Sequence, residues 1–194
     1  CIAAAATGEL FVGVDPQGSL GKEPGQGKVL RCVDIDGDGR ADHINEFAKM
    51  DHPRGLFFDN GSLWVLHPPL LSVFRDVDGD GKFDQREVLL DQLVLPRAIA
   101  IVNEGLLIGE PPNLWLCPSH SGSSKDINCQ KKIRLSNYAD EPGNVEHGEN
   151  GLLLAIDNWI YNAKSGRRMQ IRDGKLVVEP TLFRGQWGIS QDNQ

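Results

Sequence analysis

The chain has 194 residues, 40% apolar and 24% charged, which supplies enough apolar material for a packed core and excludes a disordered chain. Its longest apolar runs, such as Leu106-Leu107-Ile108, fall far short of the ~20 residues of a membrane helix. A net charge of -7 without any basic cluster excludes nucleic acid as the main partner. The acid excess is local. Nine of the 27 acids (Asp34, Asp36, Asp38, Asp42, Asp76, Asp78, Asp80, Asp84 and Glu87) fall in two short loops, and the other 18 are balanced by 20 bases.

The chain opens at Cys1 with no initiator Met. A lipidated first residue is one reading. A piece of a longer protein is favoured, because Ile2-Ala3-Ala4-Ala5 runs straight into strand-like sequence without a flexible tether. Thr7 to Val14 reads as a turn and a strand. Asp15 to Gly27 is a Gly/Pro-rich insertion, either a rim loop or a surface excursion. Lys28 to Val33 is a strand entering the first acidic loop, and Ile44 to Phe47 is a strand leaving it.

A repeat then becomes visible. Pro53-Arg54, Asn60 and Leu63 return as Pro96-Arg97, Asn103 and Leu106 at an offset of 43, and Pro68-Pro69 returns as Pro111-Pro112. Asn150 to Tyr161 is another copy, and Trp187 to Asn193 begins one more. In each copy an apolar strand meets an Asp/Asn/Gly turn and a second apolar strand follows, which is a hairpin signal. Third strands follow at Lys28–Val33, Leu71–Arg75 and Leu114–Cys117. Fourth strands follow at Ile44–Phe47, Glu87–Leu90 and Lys132–Leu135. Four strands per roughly 40–50 residues predicts an all-β chain of β-propeller type, ahead of a β-sandwich. The approximate blade units are 1–50, 51–93, 94–146 and 147–186, with the next starting at 187. They make about four blades, two of them incomplete, as in a segment of a larger, six-bladed or similar, ring. Trp64, Trp115, Trp159 and Trp187 are read as blade packing.

The sharpest chemistry lies in the two acidic loops. Asp76, Asp78, Asp80, Asp84 and Glu87 occupy positions 1, 3, 5, 9 and 12 of a twelve-residue loop, with Gly81 at position 6 and Lys82 offering its carbonyl at position 7. Calcium takes six to eight hard oxygens, and this spacing supplies them. Asp34, Asp36, Asp38, Arg40, Asp42 and Asn45 repeat the pattern 42 residues earlier, with an amide in place of the last carboxylate. The flanks are strands, so the expected role is a staple on a hairpin and not a helix–loop–helix sensor. The bland alternative is a pair of solvated acidic turns. In the third unit Pro118, His120 and Gly122 stand where Asp76, Asp78 and Asp80 stood. Cys117 and Cys129 flank that loop and suit a hairpin-bridging disulfide in an oxidising compartment, a covalent clip in place of the ion. No Cys-x-x-Cys-His is present, so this segment carries no c-type haem.

Several strings together are familiar: Phe11-Val12-Gly13-Val14-Asp15, Gly18-Ser19-Leu20-Gly21-Lys22-Glu23-Pro24-Gly25, Met50-Asp51-His52-Pro53-Arg54-Gly55-Leu56, Gly109-Glu110-Pro111-Pro112-Asn113-Leu114-Trp115 and Arg184-Gly185-Gln186-Trp187-Gly188. Nearly the whole chain resembles the membrane-bound dehydrogenase family of Planctomycetes and Verrucomicrobia. Those are large secreted proteins whose propeller is similar to that of soluble quinoprotein glucose dehydrogenase. A c-type haem domain is often fused to them. The resemblance implies a pyrroloquinoline quinone (PQQ) cofactor, a sugar or alcohol substrate, a c-type cytochrome partner elsewhere in the parent chain, and a secreted or periplasmic location. Any membrane association would run through other parts of the parent. It implies a general base at His147, ahead of the Gly148 to Asp157 strand, although the spacing departs from the family pattern by about a residue. Arg54 and Arg97 precede equivalent strands, Asn150 follows later in that place, and Arg184 lies in a Gly-Gln-Trp context. These four are the candidate cofactor or substrate contacts. Two rivals stay open: a non-catalytic calcium-stabilised propeller that binds glycans or proteins, and a lactonase-like calcium-dependent hydrolase.

Overall fold

The computed structural model describes residues 1–17, 23–140, 143 and 147–190. Among the described residues, sixteen strands form four sheets of four, each antiparallel and each laid down in sequence order. The first sheet holds β1 (Ile2–Ala4), β2 (Leu10–Val14), β3 (Lys28–Val33) and β4 (His43–Lys49), and the second β5 (Gly55–Asp59), β6 (Ser62–His67), β7 (Leu70–Arg75) and β8 (Gln85–Leu90). The third holds β9 (Ala98–Val102), β10 (Gly105–Glu110), β11 (Asn113–Pro118) and β12 (Ile133–Asn137), and the fourth β13 (Asn150–Leu154), β14 (Ile160–Ala163), β15 (Ser165–Arg172) and β16 (Lys175–Arg184). Each sheet is a propeller blade, so the fold is all-β and of the β-propeller type. All four blades are complete, which corrects the expectation of two partial ones. The missing strands were Ile2–Ala4, only three residues long, and the pair β15 and β16, in which Arg167, Arg168, Arg172, Glu179 and Pro180 interrupt the apolar residues. The segment 187–190 forms no strand, and the remainder of that last copy lies outside the described residues.

The turns follow the local chemistry. Asn60-Gly61 and Asp173-Gly174 both take positive φ at both residues, as a two-residue hairpin turn requires. A register shift recurs in the same place of three blades, between Val29/Leu30, Leu71/Ser72 and Leu114/Trp115. The repeat is therefore structural down to its bulges.

Two compact units divide the chain, 1–93 and 94–194. In the first, β1 lies against β5 and the core joins Phe11, Val29 and Phe47 of one blade to Leu56, Leu63, Val65 and Phe74 of the next. Phe11 stacks on Phe58 at 5.1 Å and meets Phe47 edge-on at 5.1 Å. In the second unit β9 lies against β13, and Ala98, Ala100, Leu107 and Leu114 pack with Leu152, Ile160, Met169 and Ile171. Trp64 and Trp159 are buried, and the Trp115 indole donates to Glu110 Oε2 at 2.9 Å. Trp187, read as blade packing, is instead 59% exposed beside His147.

One buried polar position repeats with the blade. His67 and Glu110, 43 residues apart, each precede a cis Pro-Pro pair and reach across the hairpin, His67 Nε2 to Ser72 Oγ at 2.9 Å and Glu110 to Trp115. Burial, reinforced by Arg86, lowers the His67 pKa from 6.5 to about 4. The unfolded imidazole takes a proton near 6.5 and the folded one only near 4. Stability is thus lost as pH falls through that window, by about 2 kcal/mol at pH 5. Urea unfolding at pH 7 and pH 5 should show this slope in the native chain and a shallower one in His67→Asn. Equal slopes would contradict the burial argument.

Candidate functional site

The two acidic loops fold alike, differing by one weak bond, Asp78 N to Asp84 at 3.3 Å, which the first loop lacks. Asp76 accepts from Gly79 N at 2.7 Å and Gly81 N at 2.9 Å, and Asp34 accepts from Gly37 N and Gly39 N, each at 2.8 Å. Asp78 and Asp36 each accept from the N–H two residues on at 3.1 Å, and Asp80 and Asp38 do the same at 2.8 Å. Asp84 accepts from Val77 N at 2.6 Å and Asp42 from Ile35 N at 2.7 Å. Gly37, Gly39, Gly79 and Gly81 all have positive φ, which lets the chain coil around its own carboxylates. The Gly39 and Gly37 N–H groups hold the Asp34 pKa below the usual range. In each loop one oxygen from each of three carboxylates gathers within 4.8 Å, Asp34/Asp36/Asp42 and Asp76/Asp78/Asp84.

The last loop positions stand apart from those triads. Glu87 lies on β8 and pairs with Arg75 at 3.4 Å, and Asn45 lies on β4 opposite Arg31. Arg40 and Lys82 donate their backbone N–H to Asp38 and Asp80, with their side chains exposed.

The surroundings of the two loops differ. Phe83 of the second loop meets Phe74 at 5.1 Å and Phe47 of the neighbouring blade at 6.3 Å. Gly81 is buried, and a Cβ on it would lie 2.7 Å from Arg31 Nη1 and 3.6 Å from Asn45 Nδ2. The second loop is therefore wedged against the first blade. The first loop has Ala41 where the second has Phe83, and Ile35 to Glu46 are exposed.

The third loop keeps more of the pattern than its first residues suggest. Asp126 stands 42 residues after Asp84, and its carboxylate accepts from Ser121 N at 2.9 Å and from the Ser119 hydroxyl. The Ser119 hydroxyl lowers its pKa. One acid of the loop has survived, fully engaged by serines. The structure carries Cys117 and Cys129 as buried thiols at the two ends of this loop.

The residues implied by the resemblance are dispersed. Arg54 and Arg97 do hold equivalent places: their N–H groups donate to Leu66 O at 2.7 Å and to Gly109 O at 2.8 Å. Arg54 belongs to the first unit; Arg97, His147, Asn150 and Arg184 belong to the second. His147 is exposed, with Nδ1 3.4 Å from Gln186 Nε2 and its ring edge-on to Trp187 at 6.0 Å. Asn150 ties down a neighbouring segment, donating to Gln186 O at 2.9 Å and accepting from Gly188 N at 2.8 Å. Arg184 covers the Tyr161 ring at 4.3 Å and lines a cleft of about 320 Å³ with Asp157 and Ile189. His147 lines a different cleft of about 360 Å³, with Lys164, Arg167, Glu149 and Phe183.

Sequence reasoning missed Glu149. It accepts from Ser165 Oγ at 2.7 Å, from Arg167 Nε at 2.8 Å and Nη2 at 2.7 Å, and from Ala139 N at 3.1 Å. A carboxylate so fully paired is an anchor and not a free base. The Arg97 guanidinium lies 3.5 Å from where a Gly148 Cβ would stand, and the cleft's own lining sets Lys164 and Arg167 beside Asp140 and Glu149. No single local motif marks Glu149; its partners come from 10 to 18 residues away.

A family model described as a domain of unknown function (DUF7133) matches residues 2–89 and 69–194, and the chain belongs to that family. No curated protein matches it. A solved structure of Kluyveromyces lactis Hsv2 (complete loop 6CD) is 12% identical over 80% of this chain, with a TM-score of 0.42. The chain spans 46% of that structure. No helix among the described residues is long and apolar enough to cross a membrane.

Proposed function

We propose that this member of the DUF7133 family is a calcium-stapled segment of a secreted or periplasmic β-propeller, in which each acidic loop binds one calcium ion. The observation that carries this reading is the doubled triad, three carboxylate oxygens within 4.8 Å in each of two loops of closely matching hydrogen bonding. Like charges that close repel, and a divalent cation is the simplest relief. The donors are all hard oxygens, as calcium prefers and as zinc or copper do not. Asp34, Asp36 and Asp42 would hold one ion, and Asp76, Asp78 and Asp84 the other. Asp38, Asp80 and the carbonyls of Arg40 and Lys82 lie on the same loops. Calorimetric titration with calcium should show two binding events, and magnesium should substitute poorly because it demands a stricter octahedron. No heat at millimolar calcium would overturn the reading.

A second reading follows from the dehydrogenase resemblance, and one observation favours it. The cleft beside His147 carries Lys164 on its wall, with Arg97 nearby, and these two cations would meet an anionic ligand such as the PQQ carboxylates, Arg167 being paired with Glu149. When bound, the quinone would accept a hydride from a sugar or alcohol, and His147 would take the hydroxyl proton. Titration with PQQ in millimolar calcium, with dye-linked sugar oxidation alongside, tests it. Binding and turnover that are lost in His147→Ala would support a dehydrogenase, with electrons passing to a cytochrome partner. Calcium stabilisation without quinone binding would leave a binding propeller.

A further inference from the structure

The third blade lacks the acidic triad but keeps the loop, and two sulfurs occupy its ends. Cys117 lies on β11, and Cys129 opens the one-turn 3-10 helix Cys129–Lys131 at the position Glu87 holds in the loop before. Both are buried, Cys117 at 0% and Cys129 at 6% exposure, and β11 packs against the 3-10 helix that carries Cys129. Cys1 is exposed and Cys32 half-buried, so neither competes in that interior. The chain between the two cysteines is already pinned: Asn128 N donates to Pro118 O at 2.9 Å and Ser119 N to Glu104 O at 2.8 Å. The Asn128–Pro118 bond thus holds the residues next to the two cysteines side by side, and a bridge needs two backbones brought that close.

We propose that Cys117 and Cys129 are a disulfide-forming pair, and that this covalent clip closes the third loop where the first two close on an ion. The thiols oxidise by exchange with a low-molecular-weight disulfide such as oxidised glutathione. The Cys129 thiolate attacks one glutathione sulfur, forms a mixed disulfide and releases one glutathione thiolate. Cys117 then attacks the Cys129 sulfur, the protein S–S bond forms and the second glutathione leaves. The two thiol protons go to the two glutathione thiolates, so one disulfide is reduced and one is made. Cys129, the more exposed of the two, is the natural first attacker. The mutual contact and burial that raise the Cys117 pKa make the folded pair slow to react, so exchange runs during folding or local opening.

The test refolds the full chain in a mixture of reduced and oxidised glutathione, blocks free thiols with iodoacetamide and maps the unreduced peptides by mass. The expected result is a cross-linked Cys117–Cys129 peptide about 2 Da lighter than the sum of its reduced parts, with Cys1 and Cys32 alkylated. Reductant should then lower the melting midpoint of the native chain by about 5–10 °C and leave a Cys117→Ala/Cys129→Ala variant unmoved. Alkylation of both Cys117 and Cys129 after that treatment would overturn the proposal, as would a bridge from either one to Cys1 or Cys32. Because the mapping uses the native chain, it stands even if the double variant fails to fold.

Discussion

Replacing Asp76 by Asn is expected to abolish most of the stabilisation that calcium confers on residues 1–93, and replacing Asp34 by Asn to abolish much less. The asymmetry does not follow from the loops' internal geometry, which is the same in both. It follows from what each loop touches. The second loop inserts Phe83 between Phe74 and Phe47 and presses Gly81 against Arg31, so ordering it orders the contact between two blades. The first loop has Ala41 at the equivalent place and ends in Asn45 instead of a carboxylate. An ion at a hundred times its dissociation constant stabilises by about 2.7 kcal/mol, or roughly 5–10 °C in a chain of this size. Thermal melts in calcium and in chelator should show that gain in the native chain, a large part of it in Asp34→Asn, and little of it in Asp76→Asn. Equal losses would show that the blade contact is not part of the calcium effect. In chelator the two variants should melt close to the native chain, since removing one of several crowded negative charges offsets the lost hydrogen bond.

The second large effect is expected from Gly105→Ala at the start of β10. Gly105 has a φ of +140°, a conformation that L side chains rarely adopt. A Cβ there would stand 2.0 Å from the Cys117 carbonyl oxygen and 2.8 Å from Ser119 N. Both obstacles are backbone, so no rotamer change relieves them, and β10 and β11 would have to separate at their paired end. The cost should be on the order of 3–5 kcal/mol. Gly174→Ala is the matched control. Gly174 also has positive φ, +71°, but nothing lies within 4 Å of the added carbon, so only the backbone penalty of about 1 kcal/mol remains. Urea midpoints of the two variants separate strain from collision. A Gly105→Ala chain no less stable than Gly174→Ala would contradict the Gly105–Pro118 register.

The propeller was legible because its repeat is written in turn residues and not only in hydrophobicity. Asn60, the Pro-Pro pair and the Asp loop each recur at 42 or 43 residues, and turn residues of these kinds constrain the local backbone path. Residues that act through such a path could be placed from sequence, the acidic triads among them. The fourth blade was harder to read, because the apolar alternation of β15 is only Met169 and Ile171, set among arginines, with the Arg168–Glu179 pair and the guanidinium of Arg168 over Trp159 adding to it. Glu149 was invisible for a related reason: its meaning lies in partners assembled from other strands. Asp126 stands 42 residues after Asp84, but with Pro118, His120 and Gly122 in place of the other acids the loop no longer carries the calcium spacing that would mark it. The residues carried over by resemblance were the least legible. Arg54 and Arg97 repeat as a pair, yet Asn150 serves its own neighbouring backbone, and Arg184 lines a different cleft from His147.

Anomalous diffraction from crystals of the full chain grown in calcium tests the central claim most directly, because it locates the ion. Two peaks are predicted, one bounded by the carboxylates of Asp34, Asp36 and Asp42 and the other by those of Asp76, Asp78 and Asp84, with the second the better occupied. Both loops empty at millimolar calcium would contradict the account. So would a single ion bound elsewhere, for example beside Arg54 or in the His147 cleft, since calcium would then belong to a reacting centre and not to the hairpins.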